Sequence, residues 1–586
     1  MAKVQCSITR QSALVAITLL AVGCGAADPV STETPPEQRV TAPASVVAFR
    51  VAPRVDTIRA GDSLRFAAAA EWSDRAARNV AVSYSATGGV MAPNGLFTAG
   101  TRLGSFLVVA SCACASAESS ASPPRADTAR VVVVAGAPPR QGVEQVPLLL
   151  HRMDGGSGDV LVSNGIPLPP GWLVDPAAPP MVRVLVGGVE VPIFAEVLKG
   201  KHPDGSVMSL LLQFVWPGDG GRDAILEVGA AAILPARAKT PINGQMAAAA
   251  ALPIDAEYLV STQIVGPTVS RFNAPQSPGF FQSYEAEFDR WGENHWATYG
   301  ANWEALNFYD RALSHFAFWA RTGDPVLWER AARIAIDYRN KYLEANNFGT
   351  TEWWAQLDGL ALHYWLAGDE RSREAVYKTA DNLHQSRGGA ARLTNTTSHE
   401  WMDNRNQSKV LSGKILAHRL EAPPYGAVTN WSAQASDDLG WILQTQAANG
   451  SFVFNSQCGQ SSNFMTGMLT SVLIQYAEQI APDARILPAV QRFQDWLWDT
   501  QWRPAEQVYN YYSGGCPGEG DATPASDLNG FYLEAYGWLY ARTGDSKYLQ
   551  RGDATFAGSV TKTWFNSPKM FNQAFQFSWR YLGYRR

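Results

Sequence analysis

A basic surplus is what this chain most plainly lacks: 48 Lys and Arg stand against 53 Asp and Glu, a net charge of −5. Proteins that bind nucleic acid use clustered cations to release counterions from phosphates, so no nucleic-acid partner is expected. Charged residues are scarce as well, at 17%, while hydrophobic residues reach 46%. That balance excludes general disorder and a fibrous repeat. Cysteine is rare, six in 586 residues, and no Cys-x-x-Cys pair or His/Cys cluster has structural-zinc spacing. A Gly-x-Ser-x-Gly elbow, a P-loop and a Rossmann fingerprint are all missing, so acyl, phosphoryl and hydride transfer lose their usual marks. Beyond the first residues there is no uninterrupted apolar run of membrane-spanning length.

What is abundant is aromatic: 20 Trp, 20 Tyr and 24 Phe, whose flat faces fill cores and also stack on sugar rings. The length predicts three or four folded units. Lys3 and Arg10 precede the uncharged run Ala13 to Val22, long enough for a signal-peptide core and too short to span a bilayer. The run ends in Leu20-Ala21-Val22-Gly23-Cys24, which resembles a bacterial lipoprotein signal. The resemblance implies removal of residues 1–23, lipidation of Cys24 and lipid anchoring at the bacterial cell envelope or surface. An ordinary secretory signal cut nearby is the alternative. Residues 24–43 are small, polar and Pro-rich, as expected of a flexible tether.

Short alternating strands from about Val46 to Val134, separated by Gly, Asp, Asn and Pro turns, predict a β-sandwich over residues 44–136. The segments Val82 to Gly89, Asn94-Gly95-Leu96-Phe97-Thr98-Ala99-Gly100 and Ala126 to Val131 resemble the bacterial Ig-like domain of group 2. This implies a spacer or adhesion module. Over residues 144–245, Asn164-Gly165-Ile166-Pro167-Leu168-Pro169-Pro170-Gly171, the strand Val182 to Val186 and Pro203-Asp204-Gly205-Ser206-Val207 follow in order. They resemble the RIFT-barrel domain of the exo-rhamnogalacturonan lyase and YetA-like family, and so imply a small β-barrel. The family's usual aromatic before Pro-Asp-Gly-Ser is here His202. The same run is also a good turn between strands, so Asp204 and His202 are read as structural. The Ala-rich residues 246–251 read as a linker.

The remaining residues, 255–586, switch to helices. Ala320-Arg321-Thr322-Gly323-Asp324 returns as Ala541-Arg542-Thr543-Gly544-Asp545, with Leu366-Ala367-Gly368-Asp369 and Ile480-Ala481-Pro482-Asp483 at equivalent points. Each turn follows an apolar helix and precedes an amphipathic one. Five such hairpins and a final helix, with first helices starting near Trp303, Glu352, His399, Asn463, Asp527 and Met570, resemble an all-α (α/α)6 toroid. That fold class includes six-hairpin glycosidases and polysaccharide lyases. A right-handed helical solenoid is the alternative. In a toroid the long, dissimilar loops before the inner helices, including residues 278–298, form one rim, and function is expected there.

The inner-helix starts supply the candidate residues. Thr397 to Gln407 packs a possible base, two carboxylates, a guanidinium and three amides into two or three turns. A polar face on a buried helix is costly unless it lines a cavity. His399, Glu400, Asp403 and Arg405, with Tyr299, are therefore the catalytic candidates. Glu304, Trp353, Trp354, Asp358, Trp401, Asn406, Asn463, Asp527 and Tyr511 are the substrate-binding ones. The His399-Glu400-x-x-Asp403 run lacks the second His of a metalloprotease helix. An exported glycan-degrading enzyme is expected. In β-elimination beside a uronate carboxylate, Tyr299 or His399 would be the base and Arg405 with Asn406 or Asn463 would hold the dianion. The alternative is hydrolysis by two carboxylates among Glu304, Asp358, Glu400, Asp403 and Asp527. A third reading is a non-catalytic surface glycan-binding lipoprotein. A Ca²⁺ ion bridging rim acids to uronates would reconcile an acidic rim with an acidic substrate. Cys458 and Cys516, each in a long rim loop before a neighbouring inner helix, are expected to form a disulfide. Cys112 and Cys114, two apart on one strand face, are left unassigned.

Overall fold

The computed structural model describes residues 45–585 except 60–62, 75–77, 79, 100–103, 113, 115–124, 135–141, 175, 177–178, 219–220, 307, 389–403, 454–458 and 515–521. The expected export signal, Cys24 and the expected tether lie outside the described residues. Among the described residues no helix is long and apolar enough to cross a membrane.

The N-terminal module is all β. Its widest sheet pairs Val55–Arg59, Arg125–Val134, Gly104–Cys112 and Val82–Ala86 in that order, with two smaller sheets beside it. Alternate residues of these strands point inward and form a core of its own around Phe49, Phe66, Phe97, Phe106, Val108 and Val131. Cys112 and Cys114 form a disulfide across Cα atoms 5.2 Å apart. An Ig-like assignment of the module is not established by this arrangement.

The second β region is one curled, eight-stranded sheet in the order Val189–Val191, Val182–Val186, Asp223–Val228, Glu144–Arg152, Ala249–Pro253, Asp159–Pro167, Ser209–Pro217, Phe194–Val197. Its two edge strands follow one another in the chain, so the sheet curls, yet no ladder joins them into the closed barrel that the sequence resemblance implies. The expected linker is wrong in its placement. Ala249–Pro253 is an interior strand, paired with Leu148 to Arg152 on one side and with Val162 on the other. Ala249, Ala250 and Ala251 are fully buried; Ala249 and Ala251 point into the sheet's own core, and Ala250 packs into the core of the toroid.

Twelve helix positions form the toroid. The inner ones are Arg311–Thr322, Asp358–Ala367, Asn404–Arg419, Asn463–Gln479, Leu533–Thr543 and the pair Pro568–Phe575 and Trp579–Tyr584. The outer ones are Phe280–Tyr299, Pro325–Tyr338, Glu370–Arg387, Trp431–Gln444, Ile486–Gln501 and Ser546–Lys562. The inner helices are buried on nearly every face: every residue from Arg311 to Arg321 is buried, whereas Pro325–Tyr338 leaves a face to solvent. The ring closes. Ser314 Oγ donates to Asn572 Oδ1 at 2.8 Å, joining the first inner helix to the sixth, and Tyr284 packs its ring 5.0 Å from Phe556, joining the first outer helix to the last. Phe280–Tyr299 is thus the twelfth helix, where the sequence predicts a rim loop at 278–298. Trp291 and Trp296 sit on this outer helix, and Trp296 is flanked by the guanidinium groups of Arg311 and Arg330.

The repeated Gly-Asp turns behave as expected. Gly323, Gly368 and Gly544 end inner helices in the left-handed conformation, and Asp324, Asp369 and Asp545 cap the outer helices that follow. The curled sheet seats on two of them. A Cβ on Gly323 would lie 1.9 Å from the Ile254 carbonyl oxygen, and one on Gly368 would lie 2.5 Å from Leu211. Trp365 Nε1 donates to Lys199 O at 2.9 Å, and Lys199 N donates to the Tyr364 hydroxyl at 2.7 Å. The turn rim of the toroid is therefore occupied by the sheet, and the other rim is where the loops open.

Candidate functional site

The first two inner helices start later than their aromatic-rich sequence predicts. Trp303–Leu306 is one turn of 3-10 helix, and the first inner helix begins at Arg311, capped by Asp310. The second begins at Asp358 rather than near Glu352, and the fifth at Leu533 after a turn at Asn529–Tyr532. These shifts place the chemistry at the loop mouth.

Asp310 joins the first two inner helices. Its carboxylate accepts from Leu313 N at 3.0 Å and from Gly359 N at 2.8 Å, so it caps one helix while gripping the first turn of the next. It is 2% exposed. Burial, reinforced by the neighbouring charge of Asp358, pushes its pKa up to about 6. Asp358 makes no hydrogen bond or ion pair among the described residues. It lines a small cavity on the toroid axis together with Leu313, Leu362 and Arg419. Lys409, on the third inner helix, feels both carboxylates. Its Nζ donates to Ala355 O at 2.8 Å, and burial lowers its pKa.

Beside this pair is a wall of aromatic rings and cations. The Arg405 guanidinium lies 5.6 Å from the Trp353 ring and 5.5 Å from the Phe464 ring. Phe464 meets Tyr511 at 4.9 Å, Phe308 meets Trp353 at 5.2 Å, and Lys569 Nζ lies 4.9 Å from Phe308. Tyr309 packs on Phe531. Burial raises its phenol well above the usual tyrosine range, against a partial lowering by Arg405, so it is a hydrogen-bond donor at neutral pH and not a base. Asp527 acts electrostatically on Tyr309 and on Lys569, and its Oδ2 accepts from Gln573 Nε2 at 2.9 Å.

Of the sequence candidates, Arg405, Trp353, Tyr511 and Asp527 therefore come to one mouth, while Asp358, at the neighbouring helix start, lines the small cavity shared with Arg419. Trp354 supports it from below, its ring against Trp303 and Phe308. Asn463 is structural: fully buried, it donates from Nδ2 to Asn510 O at 2.8 Å. Asn406 is buried, at 2% exposure, in the first turns of its helix. Tyr299 ends the first outer helix with its ring nearest His295, and Glu304 is exposed on the 3-10 turn. Neither belongs to the wall around Arg405. His399, Glu400, Trp401 and Asp403 lie outside the described residues, as do Cys458 and Cys516. The described flanks of those two cysteine loops do run side by side: Asn463 N donates to Tyr511 O at 3.1 Å, and Ser513 N donates to Ser461 O at 2.9 Å. Among the described residues no group of three or more His, Cys, Asp or Glu could hold a metal ion.

The sequence reading passed over Asp310, Tyr309 and Lys409. Asp310 stands directly before an apolar run, the ordinary mark of an N-cap, but the aromatic stretch from Trp303 to Tyr309 reads as the helix itself.

No family model matches the chain, and no curated protein matches it. Among solved structures, it is similar to an unsaturated glucuronyl hydrolase specific for heparin (10% identity, TM-score 0.40, 52% of this chain and 96% of that one). It is also similar to a D-mannose isomerase (11% identity, TM-score 0.39, 52% and 96%). A third is an α-1,6-mannanase of Salegentibacter sp. HEL1_6 (16% identity, TM-score 0.29), where the match covers 36% of this chain and spans 60% of the mannanase. At these identities and scores no residue role passes from them to this chain, and none supports the resemblance to exo-rhamnogalacturonan lyases.

Proposed function

We propose that the chain is an exported, lipid-anchored enzyme that cleaves a uronate-containing glycan at the loop mouth of the toroid. The reading rests on two neighbouring inner-helix starts: the second carries a half-buried carboxylate, Asp358, with no hydrogen bond or ion pair among the described residues, and the third carries a guanidinium framed by two aromatic rings, Arg405. Trp353 is 45% exposed and Tyr511 partly so; both offer stacking faces for sugar rings, while Arg405 and Lys569 suit a substrate carboxylate.

Hydrolysis is the first of two readings of this mouth. Asp358 and Asp527, on different inner-helix starts, provide the two carboxylates that flank a glycosidic bond, one protonating the leaving oxygen and the other directing water or attacking. Asp310 is a positioning residue: it holds the turn that carries Asp358. Elimination draws on His399 as base, with Arg405 stabilising the developing negative charge, and is the second reading because the cation-rich wall suits a uronate. Incubation with uronate-containing and neutral polysaccharides separates the outcomes. Reducing ends without near-ultraviolet absorbance establish hydrolysis, and unsaturated absorbing products establish elimination. Binding without either product overturns the enzyme reading.

A further inference from the structure

A cavity of about 750 Å³ lies at the rim opposite the loop mouth, in the seam between the curled sheet and the toroid. That is within the size range of small-ligand sites. One wall is the Pro-Asp-Gly-Ser turn singled out in the sequence. Asp204 is spent within that turn, accepting from Ser206 N at 3.0 Å and Ser206 Oγ at 2.6 Å, but Lys201, His202 and Pro203 face the cavity. The other wall is made by the C-terminal ends of the third, fourth and sixth inner helices, with His418, Arg419, Gln479 and Tyr584, and by the segment holding Gln263 and Thr268.

The charges here are unevenly satisfied. Glu478 is committed, accepting from Trp538 Nε1 at 2.6 Å and from Arg542 at 2.5 Å. Glu421 is exposed at the lip. Arg419 reaches only the Met208 sulfur, at 3.9 Å, and the Trp365 ring, at 4.7 Å; it makes no ion pair among the described residues. Burial first, and then the nearby Arg580, lower its pKa to about 10, against a partial raising by Asp358. At the same neck, where the cavity narrows toward Asp358, Gln479 Oε1 and Arg580 Nε are buried with no hydrogen-bond partner. An unmet guanidinium, an unmet acceptor and an unmet donor around one opening call for a ligand carrying a carboxylate and hydroxyl groups.

We propose that this seam cavity is a second binding site, for a small sugar acid, with the carboxylate on Arg419 and the hydroxyls on Gln479 and its neighbours. The site does not rest on the reading of the loop mouth and performs no chemistry. It exists only while the sheet is seated on the toroid, because both contribute walls.

The test is isothermal titration calorimetry of the full chain with D-glucuronate, D-glucose and inorganic phosphate, carried out on an Arg405→Gln background so that binding at the mouth is removed. Saturable glucuronate binding is expected, weakened about tenfold or more by Arg419→Gln, since a hydrogen-bonded charge pair is worth about 1.5–3 kcal/mol. Lys201→Glu, at the exposed lip, should weaken it several-fold with an unchanged melting temperature, and it decides the matter if Arg419→Gln does not fold. Absence of glucuronate binding, binding indifferent to both substitutions, or glucose binding as tightly as glucuronate overturns the proposal. Phosphate binding as tightly as glucuronate also overturns it, by showing a bare-anion site.

Discussion

Replacing Asp310 with Asn tests the electrostatics on which the mouth is built. In the folded protein this carboxyl titrates near pH 6 instead of the ordinary 3.8, chiefly because it is buried and secondly because Asp358 is beside it. A raised folded pKa means that the folded state holds the proton more tightly than the unfolded chain. The resulting stability is fully present below pH 3.8 and is lost as pH rises through 6. A difference of about two pK units corresponds to about 3 kcal/mol. Asp310→Asn removes this pH dependence, because the amide does not ionise. It also turns one acceptor into a donor facing Gly359 N, at a cost of about 1–3 kcal/mol.

The variant should therefore be less stable than the wild type at pH 4, by about 1–3 kcal/mol, and should draw level with it or pass it by pH 7.5. Urea denaturation followed by tryptophan fluorescence across that pH range measures the gap, with the slope against denaturant compared to confirm that the same surface unfolds. A gap that stays constant from pH 4 to pH 7.5 would refute the assignment of a raised pKa to Asp310. Asp358→Asn provides the cross-check: with the like charge gone, Asp310 should ionise at lower pH and the wild-type slope should flatten.

Four further outcomes are expected. Asp358→Asn should lower kcat by about 10²- to 10⁴-fold, the usual worth of a general acid or base, with no loss of melting temperature, because the side chain bonds to nothing in the fold; kinetics and a thermal melt on one preparation check both. Arg405→Lys should raise KM for an acidic glycan at least tenfold, since a lysine cannot present a planar fork while stacked between Trp353 and Phe464; unchanged affinity would remove the carboxylate from the substrate model. His399→Ala and Asp403→Ala should each abolish turnover and leave the folded fraction near wild type, as read by activity beside circular dichroism, and a fully active variant would take that segment out of the site. Mass spectrometry of a non-reduced digest should yield one cross-linked peptide containing Cys458 and Cys516, and separate peptides freely alkylated without reductant would show that the paired loops are not bonded.

The periodicity and the Gly-Asp turns made the toroid legible, because an apolar inner helix followed by an amphipathic outer one is a pattern of many residues and survives small errors of register. The boundaries were not legible where aromatic residues fill a connection. Trp303 to Tyr309 and Glu352 to Leu357 look like helix to any hydrophobicity argument, yet Trp303–Leu306 is a 3-10 turn and the second inner helix starts only at Asp358. The same ambiguity hid the first outer helix: Phe280 to Tyr299 carries Glu285, Glu287, Asp289, Arg290, Glu293 and Asn294, and a polar surface helix without a strong moment reads as loop. At the site, Arg405, Asp358 and Asp527 were found because charged groups on buried helix starts are costly. Asn463 met the same criterion but is buried, and composition cannot reveal that its amide nitrogen is spent on Asn510 and Gln501.

The Gly-Asp turns also explain why the two ends of the toroid differ. A left-handed glycine at the end of an inner helix leaves no Cβ, and that gap admits the backbone of Ile254 at Gly323 and the side chain of Leu211 at Gly368. Had these positions carried any larger residue, the sheet could not approach closely enough for Trp365 to reach Lys199. The repeat first recognised as punctuation between helices is therefore what lets a β module sit on one rim. With that rim seated against the sheet, long loops are left to the other, where Asp310, Asp358 and Arg405 gather at helix starts. Closure of the seam is incomplete where the Lys201 turn stands off from the ends of three inner helices, and Arg419 is left facing that gap.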